Sequence, residues 1–471
     1  MQASEGNRPT DSDVSRDHEQ LELDAKATRR QHAALLNGRA SRGFEEGMVE
    51  LLRSRRAAGG EKLEQFDIVR SSPTGAGAGR SHGGSTPIVT GALLVRAALE
   101  NAEPELFAKL VAEVGPAHLR LDGRLAVLQG NAIAPEALVE LARTIILAGH
   151  EASVDHIVPL GLLMKAEGGP SRTVLAGARS APGPREAATK LAVIDTGVPT
   201  KGHEHIWQTA LETADNLDAL DAFPFPGGDG LLDAAAGHGA FATGIVQQVD
   251  PSGDVQVHRA VDSDGIGSEV VVAEALLRAV REHGAEIVNL SLGAQSVDDQ
   301  PLLAFQVAFE LLSEGGYDDV LLIAAAGNYG DKRPCWPAAF RRVVAVGALT
   351  AKLEPAPWSS HGHWVDVSVV GEGLVSTYVR GKESPQLSPA SAGPPDEWPL
   401  SDDSPWAVWS GTSFAAPQIA GEVARRLTAA RAGGDTTATP RSVYVALLAE
   451  GRRLPDYGVA LHILDGTPIK A

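Results

Sequence analysis

A chain of 471 residues with 43% apolar and 21% charged side chains has the composition of a globular protein with one large domain and smaller companions. The 41 Lys and Arg against 60 Asp and Glu leave a formal charge of −19, which excludes a global basic footprint for nucleic acid and disfavours anionic membranes. The single cysteine, Cys335, excludes an intrachain disulfide and fits a reducing compartment.

Residues from Met1 to Gln20 are polar and charged, without the basic segment and apolar stretch of a secretory signal. No stretch approaches the ~18 uncharged apolar residues of a membrane span. A cytoplasmic location with no membrane partner is the resulting expectation. Residues 1–86 read as a polar leader and linker. Composition favours helix from Glu19 to Arg56, and the segment from Ser71 to Ser85 has the Gly-rich make-up of a linker.

Residues 87–180 read as a small α+β domain. Ile88–Arg96 is a strand and Glu103–Val114 an amphipathic helix. Asp122-Gly123 marks a hairpin between Leu119–Leu121 and Leu125–Leu128. Pro135–Ala148 is a second helix and Val154–Met164 a last strand. This β-α-β-β-α-β order predicts a ferredoxin-like unit. After the turn-forming Ala181-Pro182-Gly183-Pro184, residues 186–471 alternate short apolar strands with helices. Strands are expected at 191–195, 255–260, 287–292, 320–325 and 343–347. Such strands predict a mostly parallel α/β sheet with helices on both faces.

Four positions in this large domain carry chemistry. Asp195 ends a buried strand, where parallel sheets open their crevices. His238 lies between two glycines at a helix start, and histidine is the natural general base near neutrality. Asn328 follows Ala325-Ala326-Gly327 at a strand end and can donate to an oxyanion. Ser413, in Gly411-Thr412-Ser413-Phe414-Ala415-Ala416-Pro417, enters a helix whose first N–H groups are unsatisfied. Each has an ordinary structural alternative: a turn-capping acid, a core histidine, an Asn turn, an N-cap serine. Together, in the order Asp, His, Ser, they form the set of an acyl-transfer catalyst.

These segments resemble the subtilisin-like serine proteases (subtilases). Asp195-Thr196-Gly197, Gly237-His238-Gly239, Ala325–Asn328 and Gly411–Pro417 are similar to that family's four motifs. Phe414 and Gln418 stand where the family more often has Met and His. The resemblance covers about residues 186–450. It implies a doubly wound fold and a serine endopeptidase with Asp195, His238 and Ser413 as catalytic residues and Asn328 in the oxyanion hole. Ser291, Leu292 and Gly293 would pair with an extended polypeptide substrate, and Ala325, Ala326 and Gly327 would line its main pocket. The alternatives are a catalytically restrained peptide-binding module and a serine esterase.

The unit at 87–176 resembles, in element order, the inhibitory prodomain of secreted subtilases. That implies intramolecular inhibition by residues 1–185; a permanent adaptor is the competing reading. No cofactor is expected. The family often binds calcium, but Asp262, Asp264, Asp298 and Asp299 match no calcium loop. His203 and His205 lack the further ligands of a zinc site.

Overall fold

The computed structural model describes residues 18–37, 42–70, 85–158, 169–173, 188–200, 202, 216–387, 395–401 and 405–467. The first structured part is a pair of helices, α1 (His18–Asn37) and α2 (Arg42–Arg56). α1 buries Asp24, Ala27, Thr28, Gln31 and Leu35. Their spacing traces one face of a helix, although the stripe is mostly polar.

The small unit comprises β1 (Phe66–Arg70), β2 (Ser85–Arg96), α3 (Pro104–Val114), β3 (Ala117–Arg120), β4 (Leu125–Leu128), α4 (Pro135–Leu147) and β5 (Ala152–His156). Its antiparallel sheet runs β3-β4-β2-β5, the order a split β-α-β unit requires, and β1 pairs with the first half of β2. Both helices begin with proline at the first helical turn, where the missing N–H has no intrahelical acceptor to lose. Leu93, Val95, Leu110, Val114, Leu128, Leu138 and Ile145 fill the core between sheet and helices. β1 draws residues read as leader into this sheet. The strand expected over Val154–Met164 ends at His156, and Ile157 bridges to Ser268 of the large domain. Residues 159–168, the 71–84 linker and the 181–184 turn lie outside the described residues. The pair Ser171–Arg172 forms β6.

In the large domain the elements are β7 (Lys190–Asp195), α5 (His238–Val249), β8 (Asp254–Arg259), α6 (Glu269–Arg281), β9 (Ile287–Leu290), α7 (Leu303–Glu314), β10 (Leu321–Ala325), β11 (Val343–Leu349) and β12 (Val367–Val370). They are followed by β13 (Leu374–Thr377), β14 (Trp406–Trp409), α8 (Thr412–Ala432), α9 (Pro440–Leu448), β15 (Arg452–Leu454) and β16 (Gly458–Ala460). The eight-stranded sheet runs β8-β7-β9-β10-β11-β12-β16-β15 and is parallel except for the closing β15–β16 hairpin. Alternate residues feed opposite faces. Ala192, Ile194, Val288 and Leu322 pack toward α6 and α7, whereas Leu191, Val193, Ile287 and Ile323 pack toward α5 and α8. This is the doubly wound α/β fold, with both faces of the sheet covered.

β6 joins β14 and β13 in a small antiparallel sheet that brings residues 171–172 beside the strand leading to Ser413. The segment from Gly381 to Ser404, which precedes Ser413, is anchored at its described ends. Gly381–Lys382 pairs with Glu397–Trp398, and the buried Trp398 indole donates to the Trp406 carbonyl.

The small unit docks on α6 and α7 through opposite charges. Arg96 meets Glu310, Arg120 meets Glu274, and Arg124 meets Glu314. Arg143 meets Asp298 in the neighbouring loop. Beneath these exposed pairs the Val158 N–H donates to the Gly267 carbonyl at 2.8 Å, and the Ser268 N–H donates to Glu64 at 3.0 Å.

Candidate active site

Parallel strands deliver their C-terminal ends to one edge of the sheet, and the site is built there. Asp195 is the last residue of β7 and is fully buried. His238 is the first residue of α5 and is equally buried. Its Nδ1 lies 2.8 Å from one carboxylate oxygen of Asp195 and 2.9 Å from the other. An acceptor-only carboxylate assigns the proton to Nδ1, which leaves Nε2 as the basic nitrogen. Nε2 has no hydrogen-bond partner among the described residues.

The flanking glycines are steric requirements. Gly237 has φ +75°, and a side chain there would meet Val379 and Tyr378 within 2.9 Å. A Cβ on Gly239 would lie 2.6 Å from the Gly197 carbonyl oxygen, so α5 can start against the Asp195 turn only with glycine at that position.

A second buried acid, Asp218, ties the two halves together. One of its oxygens accepts from the Thr196 hydroxyl at 2.8 Å and from the Gly237 N–H at 2.9 Å; the other accepts from the Leu220 N–H. The Thr196 hydroxyl also accepts from the Gly239 N–H. Asp218 therefore links the residue after Asp195 to both neighbours of His238. Burial pushes its carboxyl up to about 6, against the pull of these three donors. Sequence reasoning missed Asp218 because it sits in an irregular connection with no motif around it.

Ser413 is the second residue of α8 and is buried. Its carbonyl accepts from the Ser291 hydroxyl at 2.7 Å, and Ser291 accepts from the Asn289 amide. The side chain that follows Ser413, Phe414, packs its ring 5.1 Å from the His238 ring, and Trp409 presents an edge contact at 5.4 Å. These apolar rings wall one side of the imidazole. Asn328 accepts from both the N–H and the hydroxyl of Thr412, each at 2.9 Å. That fixes Oδ1 toward the helix start and makes the amide's NH₂ the donor available elsewhere.

The residues expected to hold substrate fall into two groups. Leu292, Ala325 and Ala326 are buried, as is Ser291, which braces Ser413; Gly293 and Gly327 are partly open. The Cys335 sulfur lies between these two glycines, 2.7 Å from a Cβ built on Gly293 and 2.9 Å from one on Gly327. Burial pushes that thiol well above its ordinary range.

The four acids considered for calcium each face an arginine. Arg56 contacts Asp262 and Asp264, Arg143 contacts Asp298, and Arg333 contacts Asp299. Among the described residues no cluster of three or more His, Cys, Asp or Glu side chains could hold a metal ion. His203 and His205 lie outside the described residues. No described helix is long and apolar enough to cross a membrane.

An Asp–His pair and a serine at a helix start, at the C-terminal edge of a doubly wound sheet, form the arrangement of the serine-hydrolase class. The model of the subtilase family matches residues 186–450, and the chain belongs to that family of serine proteases. It is 31% identical to a thermophilic serine proteinase of Bacillus sp. (strain AK1) over 49% of this chain and 50% of that one. It therefore spans only about half the length of that relative. It is 26% identical to thermitase of Thermoactinomyces vulgaris, over 50% of this chain and 73% of thermitase. Among solved structures, a lanthipeptide protease is similar with a TM-score of 0.45 and 20% identity, covering 59% of this chain and 85% of that one. The prenylagaramide maturation protease PagA is similar with a TM-score of 0.42 and 22% identity, covering 56% and 84%.

Proposed function

We propose that the chain is a serine endopeptidase acting through Asp195, His238 and Ser413. The observation that carries this reading is the His238 imidazole, clamped at Nδ1 by Asp195 with Nε2 left unpartnered in the same site as the start of α8. Ser413 attacks the scissile carbonyl as His238 Nε2 takes its proton. His238 then returns that proton to the leaving amine, and water repeats the sequence in reverse on the acyl-enzyme. Asp195 holds the tautomer and stabilises the imidazolium. The oxyanion sits between the Asn328 amide and the Ser413 N–H, one of the unsatisfied donors at the start of α8. An extended polypeptide adds beside Ser291-Leu292-Gly293 by strand addition. The serine test is replacement: Ser413→Ala abolishes casein cleavage and fluorophosphonate labelling. Cleavage that survives in that variant defeats the assignment.

Residues 1–185 restrain this activity in the same proposal. Support comes from the complementary docking of the small unit on α6 and α7, and from β6 lying beside β14. Mass spectrometry of wild type and Ser413→Ala chain checks it. Serine-dependent cuts between residues 176 and 190, accompanied by a rise in activity, are expected. An uncut chain with full activity contradicts the restraint.

A further inference from the structure

We infer that Gln31 of α1 is a positioning residue for the Ser413 segment, so that α1 stays docked as a working part of the enzyme after a cut between residues 176 and 190, while the rest of residues 1–185 supplies the restraint. The inference rests on the serine-peptidase reading above and deepens it. Gln31 is 1% exposed, and both ends of its amide are engaged. Its NH₂ donates to the Val408 carbonyl and to the Gly169 carbonyl, each at 2.9 Å. Its oxygen accepts from the Ser410 hydroxyl at 2.7 Å. The Ser410 oxygen in turn accepts from the Gly373 N–H at 2.9 Å.

Val408 lies on β14 and Ser410 on the turn that follows. Only Gly411 and Thr412 separate Ser410 from Ser413. The chain from β14 to the nucleophile is thus fastened from one side by the peptidase core, through Ser291 and Asn328, and from the other by a leader helix outside the matched family region. Elsewhere α1 is anchored by contacts separate from Gln31. His32 Nδ1 lies 2.8 Å from Glu372, whose other oxygen accepts from the Ala351 N–H. Leu35 packs against Trp358, Ala348 and Ala356. Thr28 lies so close to Gly373 that a Cβ there would be 2.9 Å from its hydroxyl.

Removing α1 would leave the Val408 carbonyl and the Ser410 hydroxyl without their partner beneath the nucleophile turn. Unmade hydrogen bonds at buried groups cost more than the bonds themselves contribute, so the turn would shift to find replacements. A displacement of about 1 Å at a catalytic group costs on the order of 10²-fold in rate. The signature of such positioning is a fall in turnover without a matching loss of substrate binding.

The test uses the full chain as purified. Gln31→Met keeps the side-chain length and removes both polar ends. It is expected to lower kcat on a peptide amide, and the rate of fluorophosphonate labelling, about tenfold or more with KM nearly unchanged. Gln31→Glu can imitate the amide only when its carboxyl is protonated. Its kcat relative to wild type is therefore expected to rise as pH falls. Leu35→Ala, which loosens α1 but spares these hydrogen bonds, should lower Tm and leave kcat alone. If Gln31→Met does not fold, Ser410→Ala removes the same link from the other side and should show the same split. Wild-type kcat in Gln31→Met, or a kcat loss in Leu35→Ala equal to that in Gln31→Met, overturns the inference while the hydrolase reading stands. A wild-type chain without Ser413-dependent turnover overturns both.

Discussion

Thr412 holds Asn328 by two hydrogen bonds, one from its N–H and one from its hydroxyl, both at 2.9 Å. On the proposed mechanism, the residue before the nucleophile thus orients the amide that would face the developing oxyanion. Asn328→Ala removes the donor and is expected to lower kcat by about 10²–10³-fold with little change in KM, as loss of such a donor does in subtilisin. Thr412→Val removes one of the two bonds and should give a smaller loss in the same direction. Steady-state kinetics on a peptide anilide separate kcat from KM. An Asn328→Ala enzyme with wild-type kcat would remove Asn328 from the oxyanion hole.

Asp195 makes a different demand on the same site. Its two oxygens lie almost equally far from His238 Nδ1, so the imidazole has one tautomer available. Asp195→Asn offers a donor to that nitrogen and favours the tautomer with its proton on Nε2, which cannot act as the base. A fall in kcat on the order of 10⁴-fold is expected, the size seen for the equivalent change in trypsin. Circular dichroism should show the fold intact, because the replacement is isosteric. A loss under tenfold would mean that another group orients His238.

Much of this site was legible in the sequence, for identifiable reasons. The strands ending at Asp195 and Ala325 are uninterrupted apolar runs, which only a sheet buried on both faces tolerates. The glycines around His238 announce a crowded helix start, and the clash a Cβ on Gly239 would make with the Gly197 carbonyl is the physical cause. Asp218 and Gln31 were not legible. Both are polar residues in polar surroundings, and both act through hydrogen bonds to backbone distant in sequence. Hydrophobic periodicity carries no trace of such contacts. Composition favours helix over α1, but the face by which it docks stays hidden for the same reason, since the stripe it buries includes Asp24, Thr28 and Gln31.

The buried acids predict how stability varies with pH. Burial raises Asp218 and Asp233 to about 6 and Asp264 to about 7, well above a free aspartate. Between the unfolded value near 4 and these folded values, the native state binds protons that the unfolded chain has released. These groups therefore make the fold less stable as pH rises from about 4 to about 7, the reverse of a salt-bridged surface aspartate. Urea unfolding in a Ser413→Ala background, which prevents self-cleavage, measures the slope. Asp218→Asn should lower stability overall, since its NH₂ would face a former donor, yet its stability should improve relative to the parent as pH rises through 6. Parallel curves for the two proteins would show that Asp218 does not titrate in that window.

Arg56 anchors the leader most deeply. It is almost wholly buried on α2, makes two bonds to Asp264 at 2.7 and 2.8 Å and one to Asp262 at 2.9 Å, and lies over the Phe223 ring. Removing one partner of a buried pair leaves the other charge uncompensated, at a cost of about 3–5 kcal/mol. Arg56→Met should therefore destabilise the chain by that order at pH 8. At pH 6 the loss should shrink, because Asp264, raised to about 7 even beside Arg56, already holds a proton in most of the native state and less charge is left uncompensated. Arg56→Met combined with Asp264→Leu removes both charges and should recover part of the stability. The exposed contacts of the same interface behave otherwise: Arg124→Ala, which breaks a pair with Glu314 in which both side chains are about half exposed, should change stability by less than about 1 kcal/mol. Equal losses from Arg56→Met and Arg124→Ala would place the anchor in the surface pairs and refute the buried one.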